Sequence, residues 1–298
     1  MLYTQLRAFD AVAREGSFSR AATLLGVTQP ALTIQVRALE AAYGMKLFVR
    51  QGRGIALTDV GERLYRKSRQ LAALEDEIRA TLDASQGAER GSLRLAVDGP
   101  HIVMGLFARF LERFPDVALA VAAGNTSFVR QQLLDRRVDL AILPGVQKHP
   151  RIHAVPLWYH TAVLIVPSTH AWAGRRAINI EDLHEQPMIA REEGSMTRRL
   201  VNEALARAGV KPKVVLELGS REAVCEAVSA GLGHGVIWEI EAYGAARFRT
   251  LPFRNAKIQS TDYVACLKSD RMRPLVKALF QVAAALPGKK TDIRALWR

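Results

Sequence analysis

Four short segments beyond residue 90 carry the residue types that bind anions. Each holds glycine or hydroxyl residues and stands where a predicted strand ends and a predicted helix begins. Unpaired N–H groups at a helix N-terminus, the positive end of the helix dipole and a hydroxyl together form an anion site. Alternatively, the serines and threonines serve only as helix caps. The candidate ligand-binding residues in these segments are Asp98, Gly99, Pro100, His101, Thr126, Ser127, Ser195, Met196, Thr197, Ser220, Arg221 and Glu222.

A second group of residues, on a helix predicted to begin near residue 29, has the chemistry to read DNA. Leu32, Val36 and Leu39 follow helical spacing and must face a small core. The opposite side carries Ile34, which is unfavourable in water but can pack on a thymine methyl while Arg37 or a glutamine reaches base edges. Alternatively, this is a plain surface helix with one exposed isoleucine. The candidate DNA-binding residues of this segment are Thr28, Gln29, Pro30, Thr33, Ile34, Gln35 and Arg37.

Two short strands, predicted at 46–49 and 54–57, enclose a turn that carries Arg50 and Arg53. Such a hairpin is a β wing, and its arginines can lie along a phosphate strand or enter the minor groove. A solvated hairpin turn would explain either arginine alone. Helical spacing predicts two further helices before residue 26. Residues 1–58 are therefore predicted to form a winged helix-turn-helix DNA-binding domain.

A long helix is predicted over 59–84, and its apolar residues suit packing against a second helix. Leu64, Leu71 and Ile78 are spaced by seven residues, as in helices that pair with one another. The pattern predicts a homodimer that presents two recognition helices to DNA half-sites about one helical turn, or a multiple of it, apart. Residues 85–88 and 91–92 are small and polar, and the segment 85–92 is predicted to form a hinge.

The rest of the chain alternates strands and helices. A β-α-β-α-β run begins at residue 93 and predicts a parallel sheet. A second run, from residue 162, predicts a second sheet, and a strand at 263–267 is predicted to return to the first. These runs predict lobe I at 93–161 and 263–298, and lobe II at 162–262. The fold class predicted for the whole chain is α+β and multidomain.

The charge of the chain favours a polyanionic partner, though only in part through the predicted DNA-binding segment. The formal net charge is +13, and residues 1–90 hold thirteen lysines and arginines against ten acids, a net of +3. No segment reaches the roughly 18 apolar residues of a membrane span, and charges stand where a signal peptide needs an apolar core. We expect a cytoplasmic protein that contacts no membrane.

The two cysteines, Cys225 and Cys266, are far apart and lack metal-ligand spacing. We interpret them as core residues, with a redox-sensing thiol as the alternative. No cofactor and no metal are expected.

An enzyme and a solute-binding receptor are the two alternatives to a DNA-binding protein. The glycine run at 231–235 ends a predicted helix and precedes a strand, which is the reverse of the dinucleotide fingerprint. The seven histidines show neither metal spacing nor a nucleophile partner. Turnover of a ligand would indicate an enzyme, whereas a regulator returns its ligand unchanged. The absence of a signal peptide and the attached DNA-binding segment argue against a receptor.

Residues 9–61 resemble the signature of the LysR-type transcriptional regulators. The resemblance implies a C-terminal domain of two lobes, like those of periplasmic solute-binding proteins, that close on a small effector. It places DNA contacts on Gln29, Pro30, Thr33, Ile34 and Arg37 of the helix and on Arg50 and Arg53 of the wing, and it implies a homotetramer built from two DNA-bound dimers. The family often has arginine at the place of Ile34, which leaves base preference there open. The residues that carry the resemblance are Ala11-Val12-Ala13, Gly16-Ser17-Phe18-Ser19, Ala21-Ala22, Gln29-Pro30-Ala31-Leu32, Arg37-Ala38-Leu39-Glu40, Leu47-Phe48 and Leu57-Thr58.

A narrower resemblance is to the LysR-type subgroup associated with aminoethylphosphonate catabolism. It rests on residues 33–37, 43–44 and 218–224. It implies a small anionic effector, with Ser195, Thr197 and Ser220 at the phosphonate oxygens and Asp98 or Glu222 at the ammonium. Helix-cap hydroxyls do not select among oxyanions, so carboxylate and phosphate effectors stay open.

Overall fold

The computed structural model describes residues 2–51, 54–84, 91–146, 149–242 and 247–286. The chain divides into two units, Met1–Ala88 with Leu134–Arg137 and Glu89–Leu133 with Val138–Arg298. Arg53 and positions 85–90 of the predicted hinge lie outside the described residues. Residues 287–298, which the sequence assigns to lobe I, also lie outside them.

Three short helices open the first unit, and local sequence signals fix their ends. The Ser17 hydroxyl accepts the backbone N–H of Arg20 and so caps the second helix, while Gly26, at φ +65°, ends it in the left-handed conformation that glycine adopts without strain. Thr28 caps the third helix in the same way. These helices are α1 (Leu2–Glu15), α2 (Phe18–Leu25) and α3 (Gln29–Tyr43).

A small apolar core and a β hairpin complete the first unit. Phe9, Leu32 and Leu39 are buried, as their helical spacing predicts. Strand β1 (Phe48–Gln51) pairs antiparallel with β2 (Gly54–Leu57), and α4 (Asp59–Ala84) follows. The predicted winged helix-turn-helix followed by a long helix is confirmed.

The second unit continues the alternation of strands and helices to the end of the described chain. Its elements are β3 (Gly91–Val97), α5 (Pro100–Arg113), β4 (Val117–Ala123), α6 (Thr126–Leu134), β5 (Leu140–Pro144), β6 (Ile152–Pro167), β7 (Pro187–Arg191), α7 (Met196–Arg207), β8 (Lys213–Leu218), α8 (Arg221–Ser229), β9 (Gly235–Trp238), β10 (Phe248–Pro252), β11 (Gln259–Leu267) and α9 (Pro274–Ala284), with short 3-10 helices at Ile180–Leu183, Glu239–Glu241 and Lys268–Asp270.

Two groups of strands define the two lobes of this unit. Strands β3, β4 and β5 are parallel, as predicted, with Leu95 opposite Val121 on one side and Leu140 on the other. Strand β11 pairs antiparallel with both β5 and β6. We call this sheet, with α5, α6 and α9, lobe I. Lobe II contains β10, the second half of β6, β9, β7 and β8, together with α7 and α8.

Strand β6 belongs to both lobes. Its first half pairs with β11 up to Thr161, and from Ala162 it pairs with β9 and, one residue later, with β10. The sequence predicted a strand only over 162–166 and predicted no strand at β10. The first half was missed because it holds Pro156, which lies at an irregularity in the pairing with β11, and proline normally argues against an internal strand. The domain bounds proposed from the sequence stay a prediction.

A buried ion cluster joins β3 to the start of α9 in lobe I. Asp139 accepts hydrogen bonds from the Arg94 guanidinium at 3.0 Å and the Arg273 guanidinium at 2.8 Å. Burial alone would raise the pKa of Asp139, but the two arginines outweigh it and hold the pKa at about 2. This carboxylate therefore stays charged under ordinary conditions.

Within the described ranges, no helix combines the length and the apolar character needed to cross a membrane.

Candidate functional site

A cavity of about 230 Å³ lies between the lobes of the second unit, where several strands end. Ligands of open α/β sheets bind beyond the carboxyl ends of strands, and here β3, β5, β7 and β8 all end at or near the wall. We call this space the interlobe cavity. Its lining residues are Asp98, Gly99, Pro100, His101, Ile102, Ala123, Gly124, Asn125, Pro144, Arg191, Thr197, Gly219, Ser220, Arg221, Glu222, Trp238, Glu241 and Asp262.

The structure brings eight of the twelve predicted ligand-binding residues to the interlobe cavity. They are Asp98, Gly99, Pro100, His101, Thr197, Ser220, Arg221 and Glu222. The other four, Thr126, Ser127, Ser195 and Met196, line a second cavity of about 540 Å³. The predicted convergence of all four segments on one cleft therefore holds for part of the set. The start of α6 faces the second cavity, and the start of α7 is divided, with Ser195 and Met196 at the second cavity and Thr197 at the interlobe cavity.

Four carboxyl groups line the interlobe cavity, and burial shifts the pKa of two of them. Asp98 is half-buried, and loss of solvent around its carboxyl group raises the pKa to about 6, although a hydrogen bond from the Thr126 hydroxyl opposes the shift. Glu241 is buried, and burial raises its pKa to about 7 although the backbone N–H of Trp238 donates to it at 3.0 Å. Both carboxyl groups can exchange a proton near neutral pH.

Two arginines line the same cavity, and each is already paired with a neighbouring glutamate. Arg191 donates to Glu192 at 2.8 and 3.1 Å. Arg221 donates through Nε and Nη2 to Glu222 at 3.2 and 3.0 Å. These pairs involve half-buried arginines, so an entering anion competes with one carboxylate for each guanidinium.

Two histidines beside the cavity have pKa values that are shifted in opposite directions. His160 lies 2.8 Å from Asp262; burial alone would lower its pKa, but the charge of Asp262 and this hydrogen bond raise it above its usual value. For His101, burial and then the nearby positive charge of Arg221 lower the pKa to about 4. His160 therefore holds a proton more readily than an ordinary histidine, and His101 holds one less readily.

The capping alternative accounts for two of the predicted hydroxyls. The Ser195 hydroxyl accepts the backbone N–H of Arg198, and the Ser220 hydroxyl accepts that of Ala223 at 3.2 Å. The N-terminus of α5 at Gly99 has no side-chain cap. Its first residue, Pro100, has no N–H, and the Ile102 N–H donates to the Gly99 carbonyl at 3.2 Å. In this first turn the His101 N–H is the donor that stays available to a ligand.

Sequence reasoning missed the charged residues Arg191, Glu241 and Asp262, together with Trp238. Arg191 ends β7, so the strand-end rule that singled out the four segments could have found it. Glu241 belongs to a 3-10 helix and Asp262 to the middle of β11. Neither position carries a local sequence signal.

The predicted recognition helix presents the expected side chains to solvent. Thr28, Gln29, Pro30 and Arg37 are exposed, as is Ile34 at 64 % of its surface, while Thr33 and Gln35 are half-buried. Arg50 is exposed on β1. The structure thus leaves every described member of the set at least partly exposed, and their contacts with DNA stay a prediction.

Ser19, which is not among the predicted DNA-binding residues, forms a hydrogen bond with the side chain of Gln29. The hydroxyl of Ser19, on α2, donates to the Gln29 side-chain oxygen at 3.0 Å. The hydroxyl of Thr33 donates to the Gln29 backbone carbonyl at 2.9 Å. Ser19 therefore orients Gln29, and only the packing of α2 against α3 could reveal that role.

Both halves of the chain match families of bacterial regulators. Residues 3–62 match the family described as bacterial regulatory helix-turn-helix protein, lysR family, and residues 86–286 match the LysR substrate binding domain. The RuBisCO operon transcriptional regulator of Allochromatium vinosum is 34 % identical over 78 % of this chain and 78 % of its own. The regulator CbbR of Rhodospirillum rubrum is 31 % identical over 94 % of this chain and 96 % of its own.

Solved structures share the fold. A full-length OxyR variant of Pseudomonas aeruginosa superposes with a TM-score of 0.79 at 23 % identity, covering 98 % of this chain and 99 % of its own. CbnR in complex with its target DNA gives 0.66 at 21 % identity, over 95 % and 99 %. The CcmR regulatory domain of Synechocystis PCC6803, in complex with 2-PG, gives 0.62 at 27 % identity, over 67 % and 99 %.

The chain belongs to the LysR family of DNA-binding transcriptional regulators. It carries the family's effector-binding domain, and it is a regulator rather than an enzyme.

Proposed function

We propose that this LysR-type regulator is controlled by a small zwitterion, a molecule with one acidic group and one ammonium, in the interlobe cavity. The observation that carries the proposal is the mixed lining of a single small space. Four carboxyl groups and two guanidiniums border about 230 Å³, which is below the roughly 300 to 1,000 Å³ typical of drug-sized ligands. A small metabolite fits that space.

The acidic group of the effector binds on the arginine side. Arg191 and Arg221 offer guanidiniums, the hydroxyls of Thr197 and Ser220 border the same space, and the α5 N-terminus at Gly99 lacks a side-chain cap. Guanidinium and hydroxyl donors bind carboxylate, phosphate and phosphonate alike.

The ammonium binds on the side of Asp98, Glu241 and Asp262. Their carboxyl groups line the cavity. An anion without an ammonium would place its negative charge beside these carboxyl groups, where little water is present to screen the repulsion. Because burial raises the pKa of Asp98 to about 6 and that of Glu241 to about 7, an entering ammonium displaces their protons and restores their charge. Aminoethylphosphonate has both required groups.

The second candidate effector is 2-PG, the compound bound to CcmR. The two arginines and the uncapped start of α5 favour it. The carboxyl groups of Asp98, Glu241 and Asp262 favour the zwitterion instead. The two candidates are therefore distinguished by comparing the binding affinities of ligands with and without an ammonium.

DNA binding is proposed to proceed through the exposed face of α3 and the wing of a homodimer. Leu74 and Ile78 of α4 are 52 % and 54 % exposed, which is unfavourable for an isolated helix in water but suits pairing with the same helix of a second copy. Two such dimers on one promoter would form the homotetramer implied by the family resemblance.

Isothermal titration calorimetry on the full chain tests the effector class. The ligands are aminoethylphosphonate, ethylphosphonate, which lacks the ammonium, and 2-PG. We expect aminoethylphosphonate to bind at least about tenfold more tightly than ethylphosphonate, the loss expected for one charge-assisted contact. Equal affinities for these two ligands, or tight binding of 2-PG alone, would overturn the zwitterion.

A further inference from the structure

The second cavity, of about 540 Å³, has a basic wall formed by both lobes. Arg130 comes from α6 of lobe I, and Arg198 and Arg199 come from α7 of lobe II, whereas Glu193 is the one carboxylate among its described lining residues. Its volume lies within the usual range for small-ligand sites. The remaining lining residues are Thr126, Ser127, Gly145, Gly194, Ser195, Met196 and Asn202.

The three guanidiniums are unequally neutralised. Arg198 lies 2.6 Å from the carboxylate of Glu217, and Arg199 lies 3.8 Å from that of Glu203. Within the described part of the chain, half-buried Arg130 has no carboxylate at salt-bridge distance. The wall thus keeps a positive surplus that is centred on Arg130.

The start of α7 does not itself supply the donors. Its Ser195 hydroxyl accepts the Arg198 backbone N–H, and the Met196 backbone N–H donates to the Thr126 hydroxyl at 3.2 Å. Recognition of a ligand here falls to the guanidiniums, whose planar donors suit phosphate oxygens.

The cavity adjoins the place where the lobes touch. The Asn125 amide donates to the Glu193 carbonyl and the Ser127 N–H donates to the Gly194 carbonyl, each at 3.1 Å. Arg130 stands on the lobe I side of these bonds and Arg198 on the lobe II side. An anion that contacts Arg130 of lobe I and the arginines of lobe II would bridge the two lobes and favour this arrangement.

We infer that the second cavity is a binding site for a small phosphate-bearing anion, separate from the interlobe cavity, and that its occupant holds the lobes together. The two spaces are linked through Thr126, which lines the second cavity and donates its hydroxyl to Asp98 in the first. Binding in one space therefore favours the lobe arrangement that the other requires. The site does not depend on the identity of the effector.

Equilibrium dialysis of the full chain against labelled inorganic phosphate, at fixed ionic strength, tests the site. Three variants are compared with the parent chain: Arg130→Gln in the second cavity, Arg221→Gln in the interlobe cavity, and Arg207→Gln as a matched control. Arg207 is exposed in the last turn of α7 and does not line either cavity. We expect saturable binding that weakens about tenfold in R130Q and stays unchanged in R221Q and R207Q.

Each other outcome contradicts the inference. Absence of saturable binding to the parent chain, or equal affinity in R130Q, would remove the site. Loss of binding in R221Q alone would assign the phosphate to the interlobe cavity. Loss in R207Q would mean that phosphate binds the general positive surface. The zwitterion proposal is untouched by all of these results, because its own test uses aminoethylphosphonate and ethylphosphonate.

A thermal melt checks phosphate binding at Arg130 independently of dialysis. Saturating phosphate is expected to raise the Tm of the parent chain, since a ligand that binds the folded state stabilises it, and to raise the Tm of R130Q clearly less at the same concentration. Equal rises in the two proteins would contradict the inference.

Discussion

The side-chain Oε1 of Glu40 accepts the backbone N–H of Leu47 at 2.8 Å, so a carboxylate near the end of the recognition helix holds the start of the wing. The ammonium of Lys46 lies 3.0 Å from the other oxygen of the same group. Burial alone would raise the pKa of Glu40, but the Leu47 N–H and Lys46 outweigh it and lower the pKa below 4.5. The geometry of helix and wing thus depends on one ionised side chain.

Replacing Glu40 is expected to destabilise the first unit. Glu40→Ala should cost about 1 to 3 kcal/mol of unfolding free energy, since a buried N–H loses its acceptor, while Glu40→Gln keeps an oxygen at that place and should cost less. Urea unfolding followed by far-UV circular dichroism measures the change. Glu112→Ala, at an exposed position on α5, should change stability by less than about 0.5 kcal/mol.

The Glu40 contribution should also depend on pH. Because its folded pKa is lowered, the stabilisation is present above the unfolded value and is lost as pH falls through the folded pKa. The stability gap between the parent chain and Glu40→Ala should therefore narrow on acidification below the ordinary pKa of 4.5. A gap that widens instead would contradict the assigned role.

The hydrogen bond from Ser19 to Gln29 leads to a prediction about specificity. Ser19→Ala should weaken binding to the specific site by a few-fold, up to about tenfold, because Gln29 loses its fixed orientation toward base edges. The slope of log affinity against log salt should not change, since no charge is removed. Fluorescence anisotropy with specific and scrambled DNA measures both quantities.

The control for Ser19 lies on the same helix. The hydroxyl of Thr23 donates to a backbone carbonyl of its own helix, that of Ser19, so Thr23→Ala should leave specific binding unchanged. Equal losses in the two variants would show that Ser19 acts through the helix rather than through Gln29.

The exposed apolar residues of α4 predict the assembly state. Ile78→Asp should shift the chain from dimer to monomer, because a carboxylate cannot pack in an apolar helix seam. Sedimentation velocity measures the shift. Leu232→Asp is the matched control, since Leu232 is equally exposed, at 54 %, and lies in lobe II. A dimer that survives Ile78→Asp would exclude α4 as the contact.

Affinity for a zwitterionic effector should fall as pH is lowered through the raised pKa values of the cavity. Asp98 titrates at about 6 and Glu241 at about 7. Each must be ionised to bind an ammonium, so the affinity contributed by each group declines up to about tenfold per pH unit below its pKa. Calorimetric titrations from pH 8 to pH 5.5 measure the decline.

Asp98→Asn separates the two carboxyl groups. The variant should bind aminoethylphosphonate more weakly than the parent chain at high pH. Its affinity should also fall less steeply as pH is lowered, because it lacks the group that titrates near pH 6. Titration of the phosphonate itself is common to both proteins and cancels in the comparison. Identical pH profiles would mean that Asp98 does not meet the ammonium.

Local signals in the sequence were sufficient for the fold of the first unit and for the parallel part of lobe I. Capping residues such as Thr28, the glycine at position 26 and the alternation of apolar residues act over a few positions, so they can be recognised without tertiary information. The double role of β6 could not be predicted. It depends on pairing with β11, which lies about a hundred positions later in the chain.

The candidate site was predictable only where a strand ends and a helix begins. Asp98, Ser220 and Arg221 follow that rule and do line the interlobe cavity. Glu241 and Asp262 reach it from a 3-10 helix and from the middle of a strand, so tertiary packing alone brings them there. The same packing separates Ser195 and Met196 into the second cavity.

The most direct test of the account measures DNA affinity with and without effector. Fluorescence anisotropy would follow binding to the promoter region flanking the chain's own gene, for the parent chain and Asp98→Asn. We predict that aminoethylphosphonate changes the DNA affinity of the parent chain about fivefold or more, as is typical of allosteric coupling, and changes that of Asp98→Asn far less at the same concentration. An equal response in both proteins, or no response in either, would contradict control by a zwitterion in the interlobe cavity.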